Sequence, residues 1–420
     1  MLSFIRSRES GVLPPWELKE ALYEESLKNY TAEPHATFPK VHVGAVNSLS
    51  VENVDQRYLL SGGADSSIRL WDLELDARKD WKSLNSNDGV EYSQLASIDR
   101  QKGHKYGVSH VQWWPHDSGL FVTTSFDGTA KVWDTNSMQE AYKFDLGTRI
   151  YSADISSVGE HAMVATAADH PFVRLLDLRT TAAAQILKGH DGKVLTTKWS
   201  PTHGSLIATG GTDGSVRLWD VRRSDSCVLM MDHTLTPTAQ SNPLRRGVDK
   251  RLSHPRAHRA ATNGLCWMPD GSTLLSFGND EKLRLWDLLP AEGMNKLVNY
   301  GPFLRNKFLQ TINPCLMFQN HETHKVMVPS DSGEIFMYQV EDGKMVCRLS
   351  RGHDVARSAC VTGRGYGYED YFSGSLDGKI TRWSPHYERP TVALDGKKKR
   401  GVLDDIHDEM KANEREMGEQ

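Results

Sequence analysis

The sequence predicts an all-β fold, a seven-bladed β-propeller with a short N-terminal helical extension. Three observations favour it. A motif with Asp six residues ahead of Trp recurs five times, two weaker copies fill the gaps between those, and the segment before each Trp alternates apolar and polar residues. Four-stranded blades packed around an axis leave only short sheet edges. Seven such blades can account for most of a 420-residue chain.

The repeated motif has the chemistry of a β-hairpin. Its Asp, followed by Gly in three of the five strong copies, is suited to the turn, and the alternating segment that ends in Trp is suited to the next strand. The strong copies lie at 64–72, 126–134, 212–220, 279–287 and 376–384. In the weaker third and sixth copies, Asp169 and Asp331 supply the turn while Leu176 and Tyr338 take the Trp position. Insertions at 75–102 and 224–256 lengthen the links between blades.

A histidine precedes several copies, often as a Gly-His pair, and this resembles the WD-repeat family. In that family His, Ser or Thr, turn Asp and strand Trp form a buried hydrogen-bonded tetrad. The resemblance implies tetrads built from His104, Ser125, Asp127 and Trp133, from His190, Asp213 and Trp219, and from His353, Ser375, Asp377 and Trp383.

The first, fourth and fifth blades differ at the hydroxyl position of the tetrad. They carry Gly63, Gly211 and Gly278 where the second has Ser125, so their tetrads are either incomplete or use Ser61, Thr209 and Ser276 two residues earlier. A pairing of His with Asp also suggests catalysis. Its recurrence in blade after blade favours a structural role, because a buried Asp must be fully hydrogen-bonded.

Ring closure sets the expected domain bounds. A propeller normally completes one blade from both chain ends, and we expect the outer strand of blade seven to come from residues 35–41. The predicted domains are therefore an N-terminal segment (1–34), the propeller (35–385) and a polar tail, disordered or helical (386–420).

Composition argues against several classes of protein. A net charge of −4 without a basic stripe argues against direct DNA sequence recognition. Five scattered cysteines with no Cys-x-x-Cys pair argue against a zinc site or a disulfide framework. There is no membrane-length apolar run, nucleophile elbow, Walker loop or His-Glu-x-x-His sequence. We therefore expect a non-catalytic protein without a cofactor.

The N-terminal segment has helical patterning. Leu18, Ala21 and Leu22 follow Trp16 at helical spacing, and a second apolar cluster lies at residues 2–5. Two interpretations stay open: a helical docking element for a partner groove, or a helix folded back on its own blade.

Several segments that extend well beyond the Trp-Asp pairs resemble the Cockayne syndrome A family of WD-repeat proteins. They are residues 1–4, 57–63, 111–119, 125–127, 131–136, 216–223 and 297–301. The similarity extends over about residues 1–385, and the tail from 386 shows no obvious match.

This resemblance implies a function. Proteins of that family are substrate receptors of cullin-4-type RING ubiquitin ligases in transcription-coupled nucleotide excision repair. They dock on the large triple-propeller adaptor of the ligase and bind the Cockayne syndrome B ATPase at stalled RNA polymerase. The implied location is nuclear, and Lys397, Lys398, Lys399 and Arg400 are either an import signal or a solvated charge run.

The resemblance also implies which residues bind the adaptor. Trp219 to Arg222 form a Trp-Asp-x-Arg box, and Asp177 to Arg179 repeat its Asp and Arg. A guanidinium can present a planar fork to an acidic partner, although a local ion pair with Asp220 is an equal alternative. The expected adaptor contacts are Leu2, Phe4, Ile5, Trp16, Leu18, Leu22, Arg179, Asp220 and Arg222.

The partners are expected on the loops beside the repeat histidines. Aromatic and basic side chains there could anchor a partner, although charged loop tips are ordinary in any propeller. The candidates are Lys105, Tyr106, Lys193, Arg259 and Arg357. The alternative function is a generic WD-repeat scaffold for a chromatin or signalling complex.

Overall fold

The computed structural model describes residues 23, 26–33, 36–40, 42–74, 90–159, 161–223, 227–235, 255–289, 293–317, 323–350, 357–365 and 368–385. The chain divides into two units, Met1–His386 and Tyr387–Gln420, and all described residues belong to the first. Among the described residues, Tyr23 and residues 26–28 are helical, and thirty strands follow. The strands are β1 (Tyr30–Ala32), β2 (Ala36–Thr37), β3 (Val46–Val51), β4 (Tyr58–Gly63), β5 (Ile68–Asp72), β6 (Val90–Glu91), β7 (Gln94–Ile98), β8 (Val108–Trp114), β9 (Asp117–Ser125), β10 (Thr129–Asp134), β11 (Gln139–Asp145), β12 (Ile150–Ile155), β13 (Met163–Ala168), β14 (Phe172–Asp177), β15 (Ala182–Lys188), β16 (Val194–Trp199), β17 (Leu206–Gly211), β18 (Val216–Asp220), β19 (Cys227–Met230), β20 (Thr262–Trp267), β21 (Thr273–Gly278), β22 (Leu283–Asp287), β23 (Met294–Asn295), β24 (Cys315–Leu316), β25 (Lys325–Pro329), β26 (Ile335–Gln339), β27 (Met345–Leu349), β28 (Ser358–Gly363), β29 (Tyr371–Ser375) and β30 (Ile380–Pro385).

The described strands form seven four-stranded antiparallel sheets, so the predicted seven-bladed propeller is confirmed. Blade one is β3-β4-β5-β7. Blades two to six take four consecutive strands each, from β8 to β27, and blade seven is β28-β29-β30-β1. A short parallel pair, β2 with β6, lies outside the blades.

Two sequence expectations about strand positions are wrong. The outer strand of blade seven is Tyr30–Ala32, which pairs with β30, and not a segment within residues 35–41. The propeller therefore begins inside the segment assigned to the N-terminal extension (1–34). Part of the 75–102 insertion is also a blade strand, because Gln94–Ile98 completes blade one beside Ile68–Asp72.

The core lies between neighbouring blades. Each cluster of buried apolar residues joins adjacent sheets, as where Leu60 of blade one packs with Trp113 and Trp133 of blade two. The five motif tryptophans are each fully buried: Trp71, Trp133, Trp219, Trp286 and Trp383. Leu176 and Tyr338, which take the Trp position in blades three and six, are buried too. A degenerate copy thus keeps the packing without the indole.

The two faces of the propeller carry different turns, because the strands of each blade alternate in direction. We call the face with the Asp turns, such as residues 64–66 and 126–128, the turn face. The opposite face, where third strands end at Asp134 and Asp220, is the strand-end face.

A loop closes the central channel on the turn face. The chain before the two-residue strand β24 crosses the channel and bonds to several blades. Gln310 Nε2 donates to Asn47 Oδ1 of blade one at 3.0 Å, and Thr311 Oγ1 donates to the Leu195 carbonyl of blade four at 2.9 Å. A cavity of about 520 Å³ remains, lined by residues that include Pro115 and Pro201 from first-to-second-strand turns, and so extends toward the strand-end face.

Candidate protein-binding faces

The tetrad of blade two is complete, with one correction. Trp133 Nε1 donates to Thr123 Oγ1 at 2.8 Å, and Thr123 Oγ1 lies 2.8 Å from His104 Nε2. His104 Nδ1 lies 3.1 Å from the Asp127 carboxylate. An indole can only donate a hydrogen bond and a carboxylate can only accept one. Trp133 therefore donates to Thr123, Thr123 donates to His104, and His104 donates to Asp127. The hydroxyl is that of Thr123, not of Ser125 as expected.

Ser125 has a different role. Its hydroxyl bonds to the backbone carbonyls of Tyr106 and Gly107 at 3.0 and 2.9 Å, which ties the preceding loop to the blade. The same correction applies in blade seven, where Trp383 Nε1 donates to Ser373 Oγ at 2.7 Å and Ser375 bonds instead to the Arg357 carbonyl. His353 lies outside the described residues.

Blades one, four and five use the earlier hydroxyl in the same way. Ser61, Thr209 and Ser276 each accept from the blade's Trp at 2.7 to 2.9 Å. Each also lies 2.7 to 2.8 Å from the blade's His Nε2. The tetrads of these blades are therefore complete, including the set with His190, Asp213 and Trp219.

The tetrad aspartates are held ionised. Burial alone would raise the pKa of the Asp213 carboxyl, but hydrogen bonds from His190 and Ser215 outweigh it and hold the pKa well below the ordinary value. Asp65, Asp127 and Asp280 behave in the same way. Burial also lowers the pKa of His258, favouring the neutral ring. These groups act as structural hydrogen-bond acceptors and donors beneath the turns.

Arg222 lies on the strand-end face just beyond the third strand of blade four. Its Nε and Nη2 donate to the two carboxylate oxygens of Asp220 at 3.0 and 2.9 Å. The Arg222 side chain is 73% exposed, whereas that of Asp220 is 10% exposed. The local ion pair thus exists and orients the guanidinium, while its outer edge stays open to solvent.

Arg179 occupies the equivalent position beyond the third strand of blade three. Its backbone N–H donates to Asp177 at 2.9 Å, the same turn that Arg222 makes with Asp220 at 3.1 Å, and its side chain is exposed. Neighbouring blades therefore present two arginines on the strand-end face.

The N-terminal contact candidates Leu2, Phe4, Ile5, Trp16, Leu18 and Leu22 lie outside the described residues. The chain that follows them packs on the propeller. Tyr23 and Leu27 are buried together with Tyr30 in the core between blades six and seven, beside Met327 and Met337. This part of the segment folds back on its own blades.

The turn-face candidates separate into four exposed residues and one buried residue. Lys105, Tyr106, Lys193 and Arg259 are exposed, and Lys193 Nζ pairs with Asp169 at 2.8 Å. Arg357 was expected on the surface but is buried. It is 6% exposed, because it pairs with the turn carboxylate of blade six, Asp331, at 2.5 Å and donates to Gln310 at 3.2 Å.

Sequence reasoning missed the channel-crossing loop. Phe308 and Leu309 project from it, 57% and 52% exposed, while Gln310 anchors it. The sequence signal is only the extra length between the fifth and sixth repeats, which carries no turn or strand pattern of its own.

The family model of the WD domain, G-beta repeat, matches residues 33–72, 95–134, 183–220 and 249–287. These ranges end on the third strands of blades one, two, four and five, the blades with both Trp and Asp at that position. Four WD40 repeats are thus found in this chain. The WD40 propeller is typically a non-catalytic scaffold.

Three known proteins are similar to this chain. It is 29% identical to the WD repeat-containing protein ATCSA-1 of Arabidopsis thaliana, over 92% of this chain and 95% of that protein. Radiation-sensitive protein 28 of Saccharomyces cerevisiae is 27% identical over 59% of this chain and 51% of its own length. The ribosome biogenesis protein WDR12 homolog of Drosophila mojavensis is 31% identical over 44% of this chain and 42% of its own. The chain thus spans about half or less of the last two.

Within the described residues, no group of His, Cys, Asp and Glu is placed to hold a metal ion. The described residues also contain no helix long and apolar enough to cross a bilayer. The segment Lys397 to Arg400 lies outside them.

Proposed function

We propose that this WD40 protein is the substrate-recognition subunit of a cullin-4-type RING ubiquitin ligase that acts in transcription-coupled nucleotide excision repair. The observation that supports this most is the alignment with ATCSA-1 along nearly the full length of both chains. A match through shared repeats alone would resemble that of the WDR12 homolog, which spans under half of either protein. The name Radiation-sensitive protein 28 is consistent with a repair role.

In this proposal the strand-end face and the N-terminal segment dock on the large triple-propeller adaptor. Arg222 suits such a contact because Asp220 holds the guanidinium in one orientation before the partner arrives. Among the described residues no hydrogen bond uses its Nη1 group, which can donate to an acidic adaptor side chain. The adjacent Arg179 offers a second donor.

The turn face is then left for repair partners. These are the Cockayne syndrome B ATPase and the stalled RNA polymerase machinery, and the protein reaches damaged DNA through them. The location is nuclear, with Lys397 to Arg400 as the import signal. In this role the chain itself catalyses no reaction.

The docking part of the proposal is tested with purified full-length chain and adaptor. We expect Arg179→Ala combined with Arg222→Ala to weaken adaptor affinity about tenfold or more, as for interface arginines generally. Arg223→Ala is the matched control, because Arg223 is also exposed and lies next to Arg222. Binding by the double variant within twofold of the wild type would contradict this docking mode. Unchanged thermal melting shows that the variants are folded.

A deletion test of the N-terminal segment must stop before Tyr23. Removing residues 1–22 spares the buried Tyr23, Leu27 and Tyr30. We expect this shortened chain to melt like the full chain and to lose adaptor binding. Full adaptor binding by it would remove the N-terminal segment from the docking site.

A further inference from the structure

Five large apolar side chains project from the turn face into solvent. They come from the loops of blades six, seven, one and two, and each of them is more than 40% exposed. Val43 is 92% exposed, Tyr106 62%, Phe308 57%, Leu309 52% and Leu376 43%. We call this set the apolar strip. Large apolar side chains clustered on a monomer's surface commonly mark a binding site.

Arg357 connects two members of the apolar strip, Phe308 and Leu376. The Leu376 backbone N–H donates to the Arg357 carbonyl at 3.1 Å. The Phe308 ring lies over the Arg357 guanidinium, 4.8 Å from its centroid to Cζ. Phe308 and Leu376 therefore contact the two ends of one buried residue.

Close backbone contacts at glycines connect the loops that carry Leu376, Val43 and Tyr106. Gly378, beside Leu376, packs so closely on the backbone of His42 and Gly44 that a Cβ there would collide with the His42 carbonyl. A Cβ on Gly44 would lie 3.3 Å from Ala64 Cβ, and one on Gly107 would lie 3.1 Å from Ala64 Cα. The loops that carry Val43 and Tyr106 thus meet at Ala64.

The strip is held in place before any partner binds. Asn263 Nδ2 donates to the Phe308 carbonyl at 3.0 Å and to the Gln310 carbonyl at 2.8 Å. Gln310 in turn bonds to Asn47 across the channel. Since the loop is already ordered, little conformational entropy is lost when a partner binds to it.

The exposed charges around the strip are mainly basic. Lys105 adjoins Tyr106, Lys307 adjoins Phe308, and both are exposed. The carboxyls in the described loops that carry the strip are those of Asp99, which lies in the Tyr106 loop with the exposed Arg100 and Lys102, and of the turn aspartate Asp377. The turn aspartate Asp65 lies beside Val43. Asp65 accepts from the Val43 N–H and from Ser67, so its charge is already compensated. The charge that complements this surface is negative.

We propose that the apolar strip binds an acidic segment of a partner protein that inserts two or more large apolar side chains. The inference rests on the proposed function, in which the turn face is left for partners, and it specifies their chemistry. A protein segment suits the strip better than single-stranded nucleic acid. Three of its five side chains are aliphatic, whereas nucleic-acid platforms stack bases on aromatic rings.

The probe is a displayed library of random 15-residue peptides selected on the full-length chain. We expect the selected sequences to be enriched in Asp and Glu around Leu, Phe, Met or Trp. Leu309→Glu should weaken the best peptide about tenfold or more, and Lys307→Glu should remove the preference for acidic residues. Val158→Glu is the matched control, because Val158 is 48% exposed on the strand-end face.

Failure to enrich any sequence, enrichment of basic or neutral sequences, or equal binding by Leu309→Glu would overturn the inference. So would an oligothymidine that binds more tightly than the peptides and is sensitive to the same substitutions. Adaptor affinity is measured on the same variants. If Leu309→Glu binds the adaptor normally while no peptide is selected, the strip inference fails and the proposed function stands.

Discussion

At the scale of single residues, the tetrad depends on one hydroxyl per blade. Residues two apart in a strand point to the same side, so the Thr123 hydroxyl of β9 can take the place for which we expected that of Ser125. The glycines equivalent to Ser125 in blades one, four and five pointed to the earlier position, and blades two and seven use it as well. Sequence could identify the tetrad's His, Asp and Trp, but choosing between two hydroxyls required the register of the strands.

Removing the Thr123 hydroxyl should destabilise the fold. Thr123→Val keeps the shape but leaves the buried indole N–H of Trp133 without its acceptor, at a cost of about 1–3 kcal/mol. The control is Thr197→Val, because the buried Thr197 hydroxyl has no hydrogen-bond partner among the described residues. We expect no loss there. Chemical denaturation of both variants measures the difference, and equal losses would contradict the assigned role of Thr123.

The tetrad aspartates should make stability fall in acid. Their pKa values are lower in the folded chain than in the unfolded chain, where the pKa of Asp is about 3.9. Their stabilisation is therefore present above about pH 4 and is lost as the pH falls below it. Asp213→Asn should lower the melting temperature at neutral pH and reduce this acid dependence by the share of one of the four carboxyls. The exposed Asp99→Asn should melt like the wild type at every pH, and an acid dependence in Asp213→Asn as steep as that of the wild type would count against the explanation.

At the scale of elements, closure of the ring decided where sequence prediction failed. Strand Tyr30–Ala32 has only three residues, and its partner, Ile380–Pro385, lies at the other end of the propeller in the sequence. A strand this short has no visible alternation, and its partner cannot be read from local pattern. The strong Trp-ending strands were predictable because each carries its own turn and apolar periodicity.

The closing strand should be essential to stability. Tyr30 is 4% exposed, and its hydroxyl donates to the Glu369 carbonyl at 2.9 Å. Tyr30→Ala opens a cavity between blades six and seven and should cost about 3–5 kcal/mol. Thr31→Ala, at an exposed position of the same strand, should cost under about 0.5 kcal/mol. Equal denaturation midpoints for the two variants would mean that this strand does not hold the ring closed.

At the scale of the whole molecule, the propeller separates two surfaces. The strand-end face presents Arg179 and Arg222, and the turn face presents the apolar strip above a closed channel. The sequence could predict the arginines, because each follows a repeated strand at a fixed position. It could not predict the strip, since Phe308 and Leu309 lie in a loop whose contacts are made with distant blades.

The proposed role of the chain is to link a ubiquitin ligase to its substrates. Its most direct test is ubiquitylation of the Cockayne syndrome B ATPase in a reconstituted cullin-4-type ligase with the full-length chain as receptor. We predict ubiquitin transfer with the wild type and with Arg223→Ala, and loss of transfer with Arg179→Ala combined with Arg222→Ala. Equal transfer without the chain, or with the double variant, would contradict this role.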